Sequence, residues 1–146
     1  MGFIDSLIVS AFGLCIVFAA LILISLCIKV LTMILATVIS SLLVVGIGLL
    51  SFVIEDSNPF YWLYSKFILV IGTIFPIEYF PKFIQPFLSL SPIFVVCYGP
   101  AKLFVNFTIE GFVTVLLAQV VYIIIAWLVC SLLYKKGVKN LNVNGG

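Results

Sequence analysis

The chain has no histidine, and all seven of its basic residues are lysine. Without histidine it lacks the commonest metal ligand and the usual general base near neutral pH. Without arginine it lacks the planar fork that grips phosphate at two points. Charge of either sign is scarce: 8% of the 146 residues are charged, against about a quarter in soluble domains. A formal net charge of +2 leaves no basic surface for nucleic acid. The four cysteines, Cys15, Cys27, Cys97 and Cys130, are far apart among apolar neighbours and read as small packing residues. No catalytic, cofactor or metal site follows from this composition, and no enzymatic activity is expected.

What remains is apolar, at 65% of the chain. Residues 6–54 carry one charge, Lys29, and residues 111–134 carry none. Both runs exceed the roughly 20 residues a helix needs to cross about 30 Å of hydrocarbon. The expectation is an all-α polytopic membrane protein with about four transmembrane helices. An N-terminal span occupies 1–33, and a membrane domain occupies 34–146 with spans near 34–54, 60–76 and 109–134. Residues 6–54 are too long for one crossing, so a reversal is expected near 29–32. Yet Lys29-Val30-Leu31-Thr32 contains none of the usual turn formers.

The N-terminus has no positive leader region, and its apolar stretch is longer than a signal peptide requires. Met1-Gly2 with Ser6 fits a short myristoylation pattern that a chain with several spans does not need.

Glu55-Asp56-Ser57-Asn58-Pro59 is the clearest punctuation, with caps for the next helix and proline in its first turn. The aromatic group Phe60, Tyr61, Trp62 and Tyr64 reads as an interfacial belt. Lys66, one turn further in, is expected to reach the headgroups or to pair with Glu55 or Asp56. Pro76, Pro81, Pro86, Pro92 and Pro100 then recur too often for an ordinary spanning helix. The residues between them are apolar and too few to cross, so 80–102 is expected to dip into the bilayer and return. Glu78, Lys82 and Lys102 would stay near the surface. In the last span Thr108 can cap, Glu110 suits the first turn, and Gln119 is the mid-membrane polar residue, expected to bond a neighbouring helix. Lys135, Lys136 and Lys139 form the dense basic cluster. The positive-inside rule places that tail in the cytoplasm of a multi-pass plasma-membrane protein, with the re-entrant segment outward.

Four groups of residues carry a resemblance: Ile54-Glu55-Asp56-Ser57 before Trp62-Leu63-Tyr64-Ser65-Lys66; Phe75-Pro76-Ile77-Glu78-Tyr79-Phe80-Pro81; Tyr98-Gly99-Pro100-Ala101-Lys102-Leu103-Phe104; and the ending Lys135-Lys136-Gly137 through Gly146. In this order they resemble the C-terminal half of a bacterial type-2 ABC transporter permease, over residues 35–146. The resemblance implies a cytoplasmic turn, a fifth span, outward re-entrant helices, a sixth span and a basic tail. It also implies export driven by a separate ATP-binding cassette ATPase, through a pathway shared with a second copy or a partner permease half. Two elements of such permeases, the amphipathic helix and the cytoplasmic coupling helix, have no counterpart here. No GxxxxGK[ST] occurs, so these residues do not themselves cradle ATP. Separately, Phe12-Gly13, Val17-Phe18 and Leu21-Ile22-Leu23 make the first 33 residues similar to the gamma-subunit anchor of sodium-pumping oxaloacetate decarboxylase. That resemblance implies the alternative role, a small non-transporting anchor or accessory subunit of a membrane complex.

Overall fold

The protein is described by a computed structural model covering the backbone of residues 3–54, 56–75 and 77–144, with side chains between 8 and 139. Every regular element among the described residues is helical. Helix α1 (Phe3–Leu49) ends in a 3-10 turn at Leu50–Phe52. Helix α2 (Asn58–Phe67) continues as a π-helix over Ile68–Ile74. A 3-10 turn at Ile77–Tyr79, α3 (Gln85–Ser89), a second π-helix at Phe94–Tyr98 and α4 (Gly99–Val105) follow. The last helix is α5 (Ile109–Asn144). Two of these helices are long and apolar enough to cross a membrane, over Ile8–Phe52 and Ile109–Lys139. The span expected at 60–76 falls on α2 and its π continuation.

The reversal expected at 29–32 does not occur; these residues are helical within α1. The expectation came from bilayer thickness, whereas the local sequence offers no glycine, proline, asparagine or aspartate to interrupt the hydrogen-bond ladder.

The chain divides into two units, Met1–Leu31 and Thr32–Gly146. In the first, Phe12, Ile16, Phe18, Leu21, Ile22 and Ile24 are each more than half exposed, and their spacing covers every face of the helix. An apolar surface all round a helix is stable in lipid and untenable in water.

In the second unit burial follows helical spacing. Thr32, Ala36 and Ile39 line one face of α1, and Val115, Gln119 and Ala126 one face of α5. Ile77, Val95 and Leu103 complete the apolar core. So small a core fits a lipid setting, where helices associate through close packing and hydrogen bonds because hydrocarbon is already apolar. Close approaches occur at glycines: a Cβ on Gly46 would lie 3.3 Å from Cys130 Sγ, and one on Gly99 would lie 3.0 Å from Val115.

Candidate functional site

The stretch between the two long helices is where the sequence forces irregular backbone. Proline lacks an N–H and is accommodated where none is needed: Pro59, Pro86 and Pro100 each stand in the first turn of α2, α3 and α4. Pro81 opens the turn at 82–84, and its carbonyl accepts from Ile84 N at 2.9 Å. Pro92 opens the turn leading into Phe94–Tyr98. Pro76 and Glu55 lie outside the described residues. The two π-helices approach each other at Gly72, where a Cβ would lie 3.1 Å from Cys97 and from Ile93. π-Helical turns are rare and gather at functional positions.

Three polar side chains meet at one end of this stretch. Lys102 Nζ lies 3.1 Å from Glu78 Oε1. The Tyr98 hydroxyl donates to the same oxygen, and the Lys102 ammonium sits 5.3 Å from the Tyr98 ring centre. Glu78 and Lys102 are each 57% exposed, as befits a polar boundary. The hydrogen bond from Tyr98 chiefly, then Glu78's own backbone N–H and Lys102, hold the Glu78 carboxyl below the usual glutamate range. A cavity of about 440 Å³ opens beside the cluster, bordered by Thr73, Asn106 and these three residues. Gln85 Nε2 steadies the adjoining turn by donating to Phe80 O at 2.8 Å. Lys82 is exposed, away from this cluster's hydrogen bonds.

Gln119 forms a second polar centre, fully buried on α5. Its Nε2 donates to Thr32 O on α1 at 2.8 Å and to Val95 O in the second π-helix at 3.3 Å. Its Oε1 is buried without a hydrogen-bond partner. Nearby, the Tyr122 hydroxyl donates to Leu90 O, and Cys130 Sγ lies 3.3 Å from Leu42 O. One face of α5 is thereby tied to both α1 and the proline-broken stretch.

At the turn before α2, Asp56 Oδ1 accepts from Asn58 N at 2.9 Å and from Asn58 Nδ2 at 2.8 Å. Asp56 is thus engaged locally, and Lys66 Nζ lies 5.5 Å from the Trp62 ring centre. No Lys66–Asp56 ion pair forms, with Asp56 held by Asn58 and Lys66 over Trp62; the other partner expected for Lys66, Glu55, lies outside the described residues. Thr108 caps α5, its Oγ1 accepting from Gly111 N at 3.2 Å, with Glu110 in the first turn. All four cysteines are free thiols. Among the described residues no cluster of His, Cys, Asp or Glu could hold a metal ion.

Sequence reasoning singled out Glu78, Lys102 and Gln119 one by one. It missed Tyr98 as the companion of Glu78 and Lys102, and Thr32 and Val95 as acceptors for Gln119, since a backbone carbonyl leaves no mark on the residue type. Comparison with models of known protein families, with curated proteins and with solved structures gave no match.

Proposed function

We propose that this chain is the membrane subunit of an ABC-type exporter, or a fragment of one, driven by a separate ATP-binding cassette ATPase. The translocation pathway would be completed by a second copy or a partner permease half within the bilayer of the cell membrane. The observation that carries this reading is the irregular stretch from Ile77 to Val105, set between two long apolar helices and tied to the last one. A mere anchor has no use for broken helices, which persist at membrane depth only where protein or a cavity shelters their backbone. The resemblance of residues 35–146 to type-2 permeases supports the same reading. In this proposal 34–54, 60–76 and 109–134 cross the membrane, 80–102 is re-entrant on the outer side, and the lysine-rich tail is cytoplasmic. A separate crossing within 1–33, the fourth span expected, would require α1 to break where it is helical.

One observation favours the accessory reading for the first part of the chain. Residues up to Leu31 form a unit of their own, a lone helix apolar on every side. Such a helix suits a membrane anchor of the decarboxylase type.

Purification of the tagged chain from its native membranes in mild detergent separates the two. Export predicts stoichiometric recovery of an ATP-binding cassette ATPase with vanadate-sensitive ATP hydrolysis. Recovery of biotin-containing decarboxylase subunits in its place would support the anchor and overturn the exporter.

A further inference from the structure

We propose that Gln119 supplies the hydrogen-bond donor that Pro100 removes, and thereby positions the broken segment against α1 and α5. In the π register a carbonyl takes the N–H five residues on, and the Gly99 N–H goes accordingly to Phe94 O. The next carbonyl, Val95 O, would take the N–H of residue 100, which is proline and has none. Val95 is fully buried, so solvent does not replace the missing donor. Gln119 Nε2 reaches that oxygen at 3.3 Å while also donating to Thr32 O at 2.8 Å. An amide nitrogen carries two hydrogens, so one side chain serves both carbonyls. The opposite amide orientation would set Oε1 against two carbonyl oxygens, which fixes the assignment. The unpartnered Oε1 is the cost of this arrangement.

The two acceptors stand at the head of two walls. A cavity of about 350 Å³ lies between Met33, Ala36 and Ser40 of α1 and Val96, Cys97 and Pro100 of the broken segment. Thr32 and Val95 immediately precede these walls in sequence. Gln119 therefore ties both walls at one end and sets their separation. It is a positioning residue for that cavity, and this role is independent of the exporter reading.

The test is a double-mutant cycle read by Cys97, which lines the cavity. The full-length chain, with Cys15, Cys27 and Cys130 replaced by alanine, is reconstituted in phosphatidylcholine nanodiscs. It is then labelled with a membrane-permeant maleimide. Gln119→Met keeps the side-chain length and removes the donor; it is expected to raise the Cys97 labelling rate about tenfold, the factor for roughly one buried hydrogen bond. In a Pro100→Ala background, where residue 100 brings its own N–H, the same change is expected to raise the rate less than about threefold. An equal increase in both backgrounds, or no increase with Pro100 present, would overturn the proposal. If Gln119→Met alone does not fold, recovery of folded protein in the double variant supports the proposal, and equal loss in both backgrounds overturns it.

Discussion

Lys102 Nζ and Glu78 Oε1 lie 3.1 Å apart, joining the turn after the first π-helix to α4 across 24 positions of sequence. With Tyr98 on the same oxygen, the contact fastens one end of the broken stretch. Glu78 titrates lower in the folded protein than in the unfolded chain. Its stabilising contribution is therefore complete above the unfolded value, about 4.3, and is lost as pH falls through the folded value. Glu78→Gln is expected to lower the melting temperature at pH 7 by no more than about 4 °C, because the pair is exposed and screened. The difference from the parent is expected to shrink as pH falls through the folded value of Glu78. A difference that persists below that value would show that the residue acts through packing alone.

Lys66 is engaged with the face of Trp62, and Asp56 with Asn58. A cation over an indole ring contributes about 0.5–1 kcal/mol at an exposed site. A double-mutant cycle with Lys66→Met and Trp62→Leu is expected to show coupling in that range. The corresponding cycle with Asp56→Asn is expected to stay within about 0.3 kcal/mol of additivity. The reverse ranking would restore the ion pair.

Much of the architecture was legible because lipid imposes coarse, strong rules. Long apolar runs became the helices α1 and α5, and the proline series became short helical pieces. The helical continuity through Lys29 was not legible from the length argument, although the absence of turn formers there pointed to it. Lys66 was expected to reach the headgroups or to pair with Glu55 or Asp56; its contact with the Trp62 ring was not legible, because ring contacts depend on side-chain direction along one helix face. Gln119 stood out as a lone amide in an apolar run, but its acceptors are backbone oxygens, Thr32 O on α1 and Val95 O in a π register. That register emerges only from packing, as at Gly72 against Cys97.

Gly137, within the lysine-rich tail, is buried against Phe52, and a Cβ there would lie 2.7 Å from the Phe52 Cβ and 2.6 Å from its Cγ. Those atoms lie close to the backbone and cannot swing away. Gly137→Ala is expected to cost about 1–3 kcal/mol by overpacking, despite alanine's advantage of about 1 kcal/mol in a helix. Adding Phe52→Ala is expected to return part of that loss. Denaturation in a mild detergent measures it; a stabilised Gly137→Ala protein would show that the tail does not pack on the 3-10 turn.

Crossing or returning is the property on which the permease reading stands for residues 80–102. Spin labels placed singly at Phe83 and Val96, in the reconstituted full-length chain, report depth and side through quenchers confined to one face of the bilayer. The expected result is that both labels are shallow and reached from the outer face. Labels reached from opposite faces would mean that the segment crosses, and the re-entrant account would be wrong.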